Sequence, residues 1–138
     1  MNIKDIIGRK VLTAQINKQH DVVILDTDLG KLFLTWTGDC CARCYIAHFS
    51  GIDNLVGQKI LKVKDTEWKT IQDKDYEVVE TMGTSIKSDK GYITFETRLE
   101  HNGYYSGSIN ISDKGPLGQY GSILESEYVS DLVDLKDF

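Results

Sequence analysis

Asp39-Cys40-Cys41-Ala42-Arg43-Cys44 is the densest group of reactive side chains in the sequence, with His48 four residues further on. Thiolates and an imidazole at that spacing raise the question of a metal. Zinc sites are usually built from two well-separated ligand pairs, and adjacent cysteines rarely both reach one ion. Nothing elsewhere supplies a second pair, so the expectation is no metal and small buried thiols at a strand start. A catalytic thiolate would need His48 or His101 as its base, and spacing alone does not bring them together. His101 beside Glu100 has the chemistry for acid–base work, whereas a histidine at a turn is more often a hydrogen-bonded surface residue. The sequence has no phosphate-cradling glycine loop ahead of a helix, no serine-hydrolase elbow and no His-Glu-x-x-His helix. No catalytic residue and no cofactor are expected. The chain reads as a binder rather than an enzyme.

The residues suited to binding lie between Lys90 and Ile111. From Tyr92 to His101 the chain alternates: Ile93, Phe95 and Leu99 point one way, Tyr92, Thr94, Glu96, Arg98 and Glu100 the other. That period of two is a half-buried strand. Asn102-Gly103 is a strong hairpin signal, and Tyr105–Ile111 resumes the alternation. A two-residue turn would pair Glu96 with Ile109 and put isoleucines on the charged face. One more loop residue pairs Phe95 with Ile111, Thr97 with Ile109 and Leu99 with Gly107. The pattern therefore predicts a three-residue loop or bulge at Asn102-Gly103-Tyr104, an irregularity that re-aims side chains. The outward row then holds Tyr92, Arg98, Asn110, Ser106 and Ser108 beside the Tyr104-Tyr105 pair. Rings, a guanidinium and amides suit something flat and phosphorylated; the same residues also make an ordinary solvated sheet face.

The totals bound the rest. The 138 residues form one domain, with 41% hydrophobic and 27% charged side chains, the proportions of a globular protein. A net charge of −5 argues against duplex nucleic acid, which needs a basic surface. The only arginines are Arg9, Arg43 and Arg98, so a recognised phosphate would draw on those and a few lysines. Met1–Gly8 lacks the pattern of a signal peptide, no apolar run approaches membrane-spanning length, and clustered cysteines are unlike a secreted disulfide framework. A cytosolic protein that touches no membrane is expected.

Around that strand the chain reads as more strands. Asn2–Ile7 predicts one helical turn closed by Gly8, and Val11–Asn17 a strand. Asp21–Asp26 is apolar on both faces, as an interior strand is. Asp28-Leu29-Gly30 predicts a three-residue hairpin loop that pairs Ile24 with Leu34 and Val22 with Trp36. Trp36 belongs to the core rather than to a ligand platform. Tyr45–Ser50 is extended, and Gly51–Gly57 is a helical turn ending at glycine. Ile60–Val63 is a strand reaching towards Trp68, and Thr70–Asp75 a charged loop. Glu77–Ile86 pairs across Ser88–Gly91 onto the central strand, with Ile86 opposite Ile93 and Met82 opposite Thr97. Asp113–Gly121 is a loop. Ser122–Phe138, with five carboxylates against one lysine, carries either a helical stripe (Ile123, Tyr128, Leu132, Leu135) or a strand over Glu127–Val133. The prediction is a mainly β fold, an antiparallel β-sandwich or curved sheet with short helical turns. It has a β core over 8–112, then a loop and acidic segment over 113–138.

At Gly38-Asp-Cys-Cys, Leu55-Val-Gly57, Lys90-Gly-Tyr-Ile and Glu100-His-Asn-Gly-Tyr-Tyr-x-Gly107 the chain resembles a family of small phage proteins, the Thoeris anti-defence sponges. The order and spacing of these segments carry the likeness over roughly residues 8 to 111. The resemblance implies a protein of the host cytoplasm that binds a cyclic ADP-ribose signal from a bacterial immune TIR enzyme and holds it without cleaving it. It implies a β-rich homo-oligomer with pockets near subunit boundaries, and a second site for cyclic di- or trinucleotides in some relatives. Tyr92 and Asn102 fall where the family recognises its ligand. The family holds phosphates with basic residues on the C-terminal side, yet 119–138 contains no arginine. Lys114, Arg98 or Arg43 would have to substitute, or a second subunit would supply the charge. Two other readings remain: an inhibitor that binds a host protein through an edge strand or the acidic tail, and a hydrolase of the same nucleotide.

Overall fold

A computed structural model describes residues 1–39, 42–103, 105–118, 124 and 131–137. After a 3-10 turn at Ile3–Ile6, capped by Asn2 and Asp5, come β1 (Val11–Ile16), β2 (Val22–Thr27), β3 (Gly30–Gly38) and β4 (Arg43–Ser50). A second 3-10 turn, Ile52–Asn54, leads to β5 (Lys62–Asp65), β6 (Lys69–Lys74), β7 (Glu77–Ser88), β8 (Gly91–His101), β9 (Gly107–Ser112) and β10 (Val133–Asp134). The strands form two antiparallel sheets, β10-β1-β2-β3-β9 and β4-β8-β7-β5, with β6 sharing the β7 edge used by β5. The fold is the expected mainly β sandwich.

The two inner faces close on each other through alternating apolar residues. Leu32, Leu34 and Trp36 of β3 meet Ile46, Ile86, Ile93, Phe95 and Leu99 of the second sheet in one buried cluster. The Trp36 and Phe95 rings are tilted, with centroids 5.8 Å apart, a favourable aromatic arrangement. Trp36 Nε1 also donates to Thr97 Oγ1 at 2.7 Å. That bond joins the sheets and satisfies two polar groups in a place where orphaning either is costly.

The β7–β8 hairpin has the predicted register, Ile86 opposite Ile93 and Met82 opposite Thr97. Three other expectations are corrected. First, β8 and β9 do not form a hairpin. β8 is paired on one edge by β4 and on the other by β7, so no edge is left for β9. The chain crosses instead to the other sheet, where β9 pairs β3 with Leu34 opposite Ile111. Asp39 secures the crossing by accepting from Ser106 N and Oγ at 3.2 and 2.9 Å. Gly107 fits there because a Cβ would stand 2.9 Å from Leu99 Cδ1 and 3.0 Å from Cys44 Sγ.

Second, β2 and β3 are joined by a two-residue turn, with Ile24 opposite Phe33 and Val22 opposite Thr35. Thr27 Oγ1 donates to the Gly30 carbonyl and accepts from Leu29 N, closing the shorter loop. The predicted register is off by one because β2 is buried on both faces, so a slip exposes nothing. Third, Thr70–Asp75 is largely strand β6, paired with β7 and exposed along its whole length. A strand with no buried face shows no alternation.

At the C-terminal end β10 adds to the β1 edge, and Leu135 is buried in the core. Ser112 and Val133 thus lie on opposite edges of one sheet. From within β9, Asn110 Nδ2 reaches the carbonyls of Leu117 and Gly118 beyond the strand's end at 3.4 and 3.3 Å. The proposed helical stripe at Ile123 and Tyr128, and most of the proposed strand Glu127–Val133, lie outside the described residues.

The Trp36–Thr97 bond sets a test. Trp36→Phe leaves the buried Thr97 hydroxyl without its donor, and Thr97→Val leaves the indole N–H without its acceptor. Each is expected to cost about 1–3 kcal/mol. In urea melts the double variant should cost less than the two singles together; strict additivity would show that the bond contributes nothing.

Candidate functional site

β8 sets out the predicted binding residues along its length. Tyr92 lies at its start, with its ring 52% exposed and Lys87 Nζ 5.8 Å from the ring centre. Asn102 lies just beyond its other end. At about 3.3 Å per residue, ten steps of strand put them roughly 30 Å apart. One chain does not bring both to one small ligand.

Arg98 projects from the middle of β8 onto the outer face of the second sheet. Its guanidinium donates to Glu96 Oε1 at 2.6 Å and to Thr81 Oγ1 at 2.8 Å. Arg98 in turn holds the Glu96 carboxyl below the ordinary carboxylate range. Arg43 stacks 4.3 Å over the Tyr45 ring and lies 3.8 Å from Glu100, which accepts from the Tyr45 hydroxyl at 3.1 Å. Burial and the neighbouring Glu100 both raise the Tyr45 phenol. Two arginines thus face two glutamates, and this face is locally neutral. A phosphate would have to displace a carboxylate that is already hydrogen-bonded.

Three cavities border these residues. One of about 280 Å³ lies at the rim between β3 and β4, lined among others by Asp21, Trp36, Thr37, Arg43, Cys44 and Leu124. Asp21 accepts from Asn17 Nδ2 at 2.6 Å. Burial raises its carboxyl above the ordinary value, against the opposing pull of the Asn17 bond and of Arg43. The second, of about 550 Å³, is lined by Asp73, Lys74, Asp75, Tyr76, Val78, Asn102 and Gly103. The third, of about 290 Å³, is lined by Gln72, Tyr76, Val79, Glu100 and His101 among others. Tyr105 is half-buried past the Asn102 turn, and Tyr104 lies outside the described residues. Lys74 and Tyr76 are absent from the predicted site, because the segment expected as a loop is strand β6 and Tyr76 stands in the turn that follows it.

The groups with reactive potential are held at rest. Cys44 is buried and its thiol is pushed up to about 12 by that burial. His48 is exposed on the opposite face of β4, opposite Glu96, so it does not reach Cys44. Cys40 and Cys41 lie outside the described residues, and among the described ones no three potential ligands gather around a metal site. His101 Nδ1 accepts from Gly103 N at 2.9 Å, which leaves the ring proton on Nε2, 2.8 Å from Glu80 Oε2. Its partner is Glu80 across the β7 ladder rather than the adjacent Glu100. Among the described residues no helix is long and apolar enough to cross a membrane.

A family model matches residues 4–111, described as Domain of unknown function (DUF7448). The chain belongs to this family. No curated protein and no solved structure matches it. The DUF7448 match takes in β1 to β9, and hence Tyr92, Arg98 and Asn102, and stops where β9 is finishing. β10 and Leu135 lie beyond it.

Two outcomes follow from the rim cavity. At pH 8 the Cys44 thiol should resist iodoacetamide in the native protein and react once urea unfolds it; alkylation at the rate of a free thiol would contradict its burial. A carboxyl raised on folding favours the native state below its ordinary value, and that contribution is lost as pH rises through the raised one. Asp21→Asn should therefore be at least as stable as the parent at pH 7. Its advantage should shrink as pH falls through the carboxylate range, and an advantage that grows on acidification would reverse the assigned direction.

Proposed function

We propose that the chain is a non-enzymatic binder of a small cyclic nucleotide, holding an immune signal intact in the cytoplasm of an infected host. The reading rests on the likeness to the Thoeris anti-defence sponges. The observation that carries it is the amide of Asn102 lining an open cavity of about 550 Å³ at the end of β8. Cys44 and His101 support holding over cleaving, since one is a neutral buried thiol and the other has both ring nitrogens engaged. An enzyme needs groups poised to attack or to transfer protons. A sponge needs only pre-organised enclosure.

In this reading Tyr92 reaches the ligand from a second copy. Two chains with antiparallel β8 strands would bring Tyr92 of one towards Asn102 of the other, which accounts for a homo-oligomer with pockets at the subunit boundary. Arg43 and Arg98 then hold phosphate by exchanging Glu100 and Glu96 for the ligand, a swap between charge-assisted bonds of similar strength.

The test is capture. Protein incubated with the products of a TIR enzyme should melt at higher temperature and release an unaltered nucleotide on denaturation. Release of a hydrolysed product would make it an enzyme. No nucleotide, with a host protein retained through the acidic segment, would make it an inhibitor of that protein. Asn102→Ala and Tyr92→Ala are each expected to weaken capture about tenfold, within the range of a lost stacking or amide contact. Mixed oligomers of the two variants should recover part of the tighter capture that each has lost; unchanged affinity in both would remove these residues from the site.

A further inference from the structure

The β6–β7 hairpin turns at Asp75-Tyr76, with Lys74 opposite Glu77. Tyr76 has φ +60 and Asp75 is not in the positive-φ region. A two-residue turn with positive φ at its second position favours glycine or asparagine, because a side chain there crowds its own backbone. Here that position holds a tyrosine, 79% exposed, the most exposed large hydrophobic side chain among the described residues. Burial does not account for it, and the turn would be easier without it. A conformational outlier of this kind, kept with no packing return, points to use of the side chain.

Its surroundings say for what. β7 pairs β8 with Val78 opposite His101. The ladder ends there, so Tyr76 and the Asn102-Gly103 turn both lie just beyond the same end of it. Tyr76 lines the 550 Å³ cavity together with Asn102, Lys74, Asp73 and Asp75, and also the 290 Å³ cavity beside it. Among the described residues, the aromatic that shares a cavity with Asn102 within one chain is therefore Tyr76, not Tyr92.

The geometry points to a purine platform at this hairpin tip: Tyr76 stacks on the base of an adenine nucleotide while Asn102 reads its edge. This deepens the nucleotide-binding reading above and rests on it. An asparagine amide can satisfy the N6 and N7 positions of adenine together, and a tyrosine face supplies sequence-tolerant stacking. Asp73 and Asp75 accept from an exocyclic amine and repel phosphate, with Lys74 the single cation lining the cavity among the described residues. The base thus enters first, and the phosphates point out of the cavity. Guanine and the pyrimidines present a different pattern of donors and acceptors to the amide.

Calorimetric titration with adenosine, guanosine, 5′-AMP and cyclic ADP-ribose tests this on the intact chain. Adenosine should bind, guanosine more weakly, and 5′-AMP no more tightly than adenosine. Tyr76→Ala should weaken adenosine binding about tenfold or more, and Tyr76→Phe should keep it. Tyr76→Gly should melt at or above the parent temperature, because the turn is relieved, and yet lose binding; this separates loss of the platform from loss of the fold. Adenosine binding should change little between low and high salt. Cyclic ADP-ribose bound equally by the parent and Tyr76→Ala would overturn the platform and leave the sponge reading standing. Adenosine bound through Tyr76 with no cyclic nucleotide bound would keep the platform and remove the sponge. A parent that binds none of the four, or a steep salt dependence, would overturn the platform.

Discussion

β8 has no unpaired edge, and much of the molecule follows from that constraint. With β4 on one side and β7 on the other, the next strand has to leave the sheet. The Asn102 turn is therefore a crossing between layers rather than the end of a hairpin. The crossing delivers β9 to β3, closes one side of the sandwich over Trp36, and leaves Asn102 at a rim where cavities form. A loop emerging from two fixed strands is held by the core without being part of it, the usual division of labour between scaffold and candidate site.

What could be read from the sequence tracks how asymmetric each strand's two faces are. β7 and β8 have one apolar and one polar face, and a one-residue slip would expose Ile86 and Ile93; their register is legible to the residue. β2 is apolar on both faces, so its register rests on turn chemistry alone, and the Thr27 hydroxyl tips it to the shorter loop. β6 has no buried face at all and leaves no periodic trace. The apparent β8–β9 hairpin shows the other limit. Alternation tells which residues share a face, but not whether consecutive strands share a sheet. The candidate site inherits these limits: Arg98 is correctly on the outer face, yet Glu96, two residues along the same row, claims it. Tyr76 was hidden because the strand leading into its turn was.

Electrostatics narrow how such a chain can recognise a charged ligand. The net charge is −5, and Arg43 and Arg98 lie against Glu100 and Glu96. Pairs at a partly exposed surface contribute little to stability, with a median near 0–1 kcal/mol, so their value to the protein lies elsewhere. They hold long side chains in fixed positions on the sheet, and in the proposed reading the ligand's phosphate takes the place of the carboxylates. The cost of that exchange is modest because the outgoing carboxylates return to water rather than into the core.

Affinity at the Asn102 end has to come chiefly from shape and uncharged contacts. Lys74 is outnumbered there by Asp73 and Asp75, so long-range attraction of phosphate is weak or reversed. A ring and an amide lose little by this, since stacking and paired hydrogen bonds act at contact distance and are only slightly screened by salt. The positive φ of Tyr76 fits the same logic. A rigid two-strand hairpin can sustain one unfavourable backbone angle at its tip, because the pairing of β6 with β7 fixes the residues on either side. The backbone that carries the ring is thereby fixed, and in the proposed reading less conformational freedom remains to be lost on binding.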